Sequence, residues 1–80
     1  MFYMYILRSL GDGKFYVGMT SNLEDRLKRH IEGRSKYTSK HLPIELVYTE
    51  VFKTRKEALA RERTIKQYKS RDYIEKLISK

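Results

Sequence analysis

Glu62 lies in the middle of an apolar helical stripe, four residues after Ala58, three after Leu59 and three before Ile65. A carboxylate there is costly to bury unless it is paired, protonated or bound to a cation. A salt bridge to one of the chain's many cations is the ordinary explanation; metal binding is the sharper one. Four other side chains could share its chemistry: the phenols of Tyr5 and Tyr16, the guanidinium of Arg26 and the imidazole of His30. This set lacks a second strong carboxylate but is rich in groups that handle oxyanions. Mg²⁺ commonly keeps several waters and takes one or two protein carboxylates plus substrate phosphate, so a lone Glu suffices. Arginine stabilises the extra charge of a phosphoryl transition state, and a phenol can relay or accept the proton of an attacking water, provided nearby cations lower its pKa from about 10. Together these roles describe metal-assisted phosphodiester hydrolysis. Other arrangements drop out. There is no zinc-binding His-Glu-x-x-His helix, no phosphate-binding glycine loop and no cysteine nucleophile.

The elements that must position these groups follow from pattern. Tyr3–Leu7 and Lys14–Met19 are aromatic and apolar runs separated by the turn cluster Ser9-Leu10-Gly11-Asp12-Gly13, which predicts a β-hairpin. Side chains alternate along a strand, so loop parity decides which face each phenol takes. An even loop (Gly11-Asp12, or Leu10 to Gly13) puts Tyr5 and Tyr16 on one face, and a three-residue loop separates them. The even loop is favoured here because it gathers both phenols on one side of a small sheet. Gly18 shares that face and leaves room for another backbone or a ligand to come close.

Ser21-Asn22-Leu23-Glu24 reads as a capping box with Ser21 as N-cap, opening a helix that Gly33 ends. Leu23, Leu27 and Ile31 form its buried ridge. Asn22, Arg26 and His30 line a second ridge at the edge of the first. Arg26 covering the core with its stem, and His30 capping the core edge, are the plain alternatives to a catalytic role. A basic loop follows, in which Lys36, Tyr37, Thr38 and Lys40 are candidate nucleic-acid contacts. Ile44 to Phe52 predicts a third strand, central in the sheet because both its faces carry bulk. Thr54-Arg55-Lys56-Glu57 is a second capping box, whose helix runs to about Tyr68 with Ala58, Leu59, Ile65 and Tyr68 inward. Ser70 and Asp72 can cap a last helix with Tyr73, Ile74, Leu77 and Ile78 on its inner face.

Charge is the strongest compositional fact. Eighteen Lys and Arg against ten Asp and Glu give a net charge of +8, interleaved with seven Tyr and three Phe. A phosphate backbone attracts such a chain, though net charge also serves plain solubility. The 80 residues imply one domain with a modest core. No apolar run approaches the roughly 20 residues of a membrane span, and the start of the chain lacks a signal peptide's basic flank. With no cysteine, a cytoplasmic location is the expectation.

In order and spacing, these residues resemble the GIY-YIG nucleases, particularly small stand-alone bacterial members. Met4-Tyr5-Ile6 stands at the first signature triplet and Tyr16-Val17-Gly18 at the second. Thr20-Ser21-Asn22-Leu23, Arg26-Leu27, His30, Leu46-Val47-Tyr48, Glu50 and Ala58 to Glu62 follow at the family's spacing. The resemblance implies an α+β fold in the order β-β-α-β-α-α, a three-stranded antiparallel sheet flanked by helices. It also implies one divalent ion, Mg²⁺ or Mn²⁺, held by Glu62. Arg26 and both tyrosines would surround the scissile phosphate, with Tyr16 deprotonating water, Tyr5 positioning it and His30 assisting; the tyrosine roles could trade. The implied activity is endonucleolytic cleavage of nucleic acid, with structure-selective cutting of DNA in repair or recombination as the expectation. Met4 departs from the family's glycine, and no asparagine follows Glu62 where many members carry one; Gln67 is a candidate stand-in. A nucleic-acid-binding module without cleavage is the alternative these departures leave open.

Overall fold

The computed structural model describes residues 1–34, 42–68 and 71–79. Its elements run β1 (Phe2–Ser9), β2 (Phe15–Thr20), α1 (Leu23–Ile31), β3 (Ile44–Phe52), α2 (Arg55–Tyr68) and α3 (Arg71–Ile78). This is the expected α+β order.

In the hairpin, Tyr5 pairs with Gly18 and Leu7 with Tyr16. The Ser9 N–H donates to the Lys14 carbonyl at 2.8 Å, leaving Leu10–Gly13 as the even loop. Gly13 takes φ of 73°, a left-handed turn position that suits a residue without Cβ. Tyr5, Leu7, Tyr16 and Gly18 therefore share one face of the sheet, and Met4, Ile6 and Val17 the other.

The strand order β2-β1-β3 makes β3 an edge strand, not the central one expected from its bulk. β1 takes the centre and is buried from Met4 to Leu7. The residues of β3 divide their work. Val47, Tyr48 and Phe52 pack onto the core, whereas Leu46 and Val51 remain exposed.

The core lies on the Met4–Ile6–Val17 face, closed by Ile65 of α2 and Leu77 of α3 with Tyr73 and Ile74 alongside. A polar network ties these layers together at its rim. The Arg61 guanidinium donates to both carboxylate oxygens of Glu50, at 2.8 and 3.2 Å, and to the Tyr73 hydroxyl at 3.3 Å. Tyr48 donates its hydroxyl proton to the same carboxylate. Tyr68, expected inward, is instead 58 % exposed and stacks on Tyr73 with ring centroids 4.2 Å apart. Of the expected inward stripe of α2, Ala58 and Ile65 are buried.

Two caps differ in outcome. Thr54 caps α2 as read, its hydroxyl accepting from the Glu57 N–H at 3.2 Å and donating to the Glu57 carboxylate at 2.9 Å. In α1 the cap is Asn22, one residue later than Ser21, its side-chain oxygen accepting from the Asp25 N–H at 3.1 Å. The Thr20 hydroxyl accepts from the Asn22 N–H at 3.1 Å and fixes the entry. Gly33, at φ of 76°, ends α1 as expected. No helix among the described residues is long and apolar enough to cross a membrane.

Candidate active site

The site begins at a missing side chain. A Cβ on Gly18 would stand 2.5 Å from the Tyr5 hydroxyl and 2.6 Å from its ring carbon Cζ. The bare backbone thus admits neither a ligand nor another strand but the Tyr5 phenol itself, which is fully buried. The Tyr16 ring lies beside it, with centroids 6.2 Å apart.

From α1, His30 completes the cluster. Its ring centroid is 5.8 Å from that of Tyr5 and 5.2 Å from that of Tyr16, and its Nε2 lies 3.1 Å from the Tyr5 hydroxyl oxygen. His30 is only 1 % exposed, whereas Ile31, expected on the buried ridge, is 61 % exposed. Helix α1 turns the face of Leu23, Arg26, Leu27 and His30 inward, because the phenols offer the imidazole a partner that an aliphatic pattern does not reveal. His30 therefore lies at the centre of the contact rather than at its edge.

The electrostatics separate these groups. Burial pushes the Tyr5 phenol well above its ordinary range, the neighbouring Tyr16 adds to this, and Arg26 pulls the other way. Hydrogen bonding to Tyr16 and the charge of Glu62 raise it further. Tyr5 therefore keeps its proton at neutral pH. His30 is pushed down from its ordinary value, first by burial and then by the cation of Arg26, so it is neutral there. Arg26 from α1 and Glu62 from α2 thus both act on the Tyr5 phenol, with opposite sign.

Glu62 is 15 % exposed at its side chain and pairs with Lys66 one turn along α2, at 3.1 Å. The ordinary explanation for its inward position is thus partly met. An i,i+4 pair of this kind contributes only about 0.3–0.5 kcal/mol, and the lysine is more than half exposed, so it holds the carboxylate weakly. Among the described residues there is no cluster of three or more His, Asp or Glu suited to an all-protein metal cage. The candidate contacts Lys36, Tyr37, Thr38 and Lys40 lie outside the described residues.

Arg26 also lines a cavity of about 140 Å³ with Phe2, Met19, Thr20, Ser21 and Arg55. From sequence alone Arg55 is a residue of the capping box that opens α2 and Ser21 a helix cap. No periodicity marks either, because the cavity forms where the end of β2 meets the start of two helices distant in sequence.

Comparison with known proteins fits this geometry. The family model for the GIY-YIG catalytic domain matches residues 1–76. The chain is 43 % identical over 77 residues to a UPF0213 protein of Bacillus licheniformis, covering 91 % of this chain and 78 % of that protein. It is 44 % identical over 78 residues to one of Staphylococcus saprophyticus, covering 96 % and 93 %. The solution NMR structure of a UPF0213 protein from Bacillus halodurans superposes with a TM-score of 0.63 at 38 % identity, over 99 % of this chain and 84 % of that one. Matched along nearly its whole length, with the signature tyrosines facing one another across a hairpin, the chain belongs to the GIY-YIG family of nucleases.

Proposed function

We propose that this protein is a divalent-metal-dependent endonuclease that hydrolyses phosphodiester bonds in DNA, selecting its substrates by structure rather than sequence, with a role in repair or recombination. The observation that carries the reading is the convergence on one buried phenol. Tyr16 and His30 touch Tyr5, and the charges of Arg26 and Glu62 both reach it.

The donor set fits an ion held largely by water and substrate. Glu62 is a single, mostly buried carboxylate whose only described ion-pair partner is a weakly held surface lysine. Glu62 would hold Mg²⁺ or Mn²⁺, which would supply positive charge to the phosphate. The protein's own groups do the rest. Arg26 faces the charge that builds on the phosphoryl oxygens. Tyr16 accepts a proton from the attacking water while its own passes through Tyr5 to His30 Nε2. This path needs the His30 tautomer with its proton on Nδ1. Tyr5 suits a relay and not a base, because burial holds its proton on.

Binding of nucleic acid without cleavage is the second reading, favoured by the Lys66–Glu62 pair and the missing late asparagine. Incubation with branched, nicked and single-stranded DNA, and with RNA, in Mg²⁺, Mn²⁺ or EDTA separates the two. The nuclease reading expects metal-dependent product that Glu62→Ala abolishes. Equal product from wild type and variant contradicts it, and binding with no product under any metal supports the second reading.

A further inference from the structure

Arg26 and Arg55 reach the same cavity from two different helices. Among the described residues, neither has a carboxylate within ion-pair distance, although Arg8, Arg29, Arg34, Arg61 and Arg71 each have one. Two guanidiniums sharing a small cavity repel one another unless an anion lies between them. The remaining polar lining is Ser21, whose hydroxyl can donate to anion oxygens, and Thr20, whose hydroxyl donates to the Asn22 carbonyl at 3.2 Å, while Phe2 and Met19 close the apolar side. At about 140 Å³ the cavity has room for a tetrahedral oxyanion. Ser21 also borders a neighbouring hollow of about 480 Å³ lined by Tyr3, Asn22, Leu23, Glu24 and Leu27. An anion seated between the arginines thus has open space beside it for an attached sugar and base, as a phosphate within a nucleic-acid chain requires.

We infer that Arg55 is a substrate-binding residue that holds a backbone phosphate of the nucleic acid in this cavity, with Arg26 shared between that phosphate and the adjoining one engaged for hydrolysis. The inference rests on the nuclease reading for its substrate, but the seat itself needs no cleavage. Arg55 is exposed and forms no part of the core, so its replacement leaves the fold intact.

The test is equilibrium binding of a fluorescein-labelled branched DNA oligonucleotide in EDTA, across a series of salt concentrations. Wild type is compared with Arg55→Ala, Arg55→Lys and, as a distant loss of charge, Lys76→Ala. Arg55→Ala is expected to weaken binding roughly tenfold and to flatten the log–log salt slope by about 0.9, the increment for one phosphate contact. Arg55→Lys is expected to keep the slope. Affinity and slope equal to wild type in Arg55→Ala overturn the seat, as does an equal loss in Lys76→Ala. If wild type cleaves while Arg55→Ala binds normally, the seat falls and the nuclease reading stands. If wild type binds with the Arg55-dependent slope yet never cleaves, the seat stands and the nuclease reading falls.

Discussion

Tyr5 and Gly18 are cross-strand partners, and the phenol of one occupies the space where the other would carry a side chain. The relationship explains why a strand interior tolerates a glycine, which otherwise weakens it. It also makes the position sensitive. Gly18→Ala forces a methyl to within 2.5 Å of the hydroxyl of a fully buried tyrosine. Overpacking of this kind costs about 1–3 kcal/mol. Urea unfolding of Gly18→Ala should show a loss in that range; stability equal to wild type would mean that the ring is free to swing aside.

His30 gives the fold a pH dependence whose sign is fixed by its environment. Its pKa is lowered in the folded protein from about 6.5, so the unfolded chain binds the proton more readily. Stability therefore falls as pH drops from about 6.5 towards the folded value, and is fully present above that window. In His30→Gln this part of the loss should disappear. Denaturation at pH 5, 6, 7 and 8 checks it, and parallel profiles for the two proteins would show that the imidazole is not the group responsible.

The Lys66–Glu62 pair and the catalytic reading of Glu62 make opposite demands on Lys66→Ala. If the pair merely rests on the helix surface, the variant loses no more than about 0.5 kcal/mol of stability and cleaves DNA within a few-fold of wild type. Loss of cleavage as deep as that of Glu62→Ala would show that the lysine is needed to hold the carboxylate.

On the other face of the sheet from these phenols, Glu50 joins Arg61 and Tyr48 at the rim of the core. Charged hydrogen bonds of this type contribute about 1.5–3 kcal/mol, less here because roughly a quarter of each side chain is exposed. Glu50→Ala should lower stability by about 1–2 kcal/mol while leaving cleavage per folded molecule unchanged. Calorimetry together with an activity assay below the melting temperature checks both halves.

Local patterns were legible, and tertiary choices were not. The bounds of β3 and α2, the Thr54 cap and the even hairpin loop follow from residue type and alternation, which act over a few residues. Strand order does not. The bulk on both faces of β3 pointed to the centre, yet β1 buries more and takes it. The depth of His30 was likewise hidden, because a leucine-based stripe cannot show that two phenols on a distant sheet face will receive an imidazole. The Asn22 cap was missed by one residue because Ser21 and Asn22 are both good caps, and only the Thr20 hydroxyl decides between them. Arg55 carried no mark at all, since its neighbour Arg26 is brought to it only by the folded sheet.

Whether the distant side chains work as one centre is tested most directly by single-turnover cleavage of branched DNA in Mg²⁺. Four proteins are needed: wild type, Arg26→Ala, Glu62→Ala and the double variant. Each single change should slow cleavage by roughly 10²–10³-fold or more. Groups that act as a unit lose non-additively, so the double variant should be little slower than the worse single. Fully multiplied losses would show that the two residues act independently, and rates equal to wild type would contradict the shared centre outright.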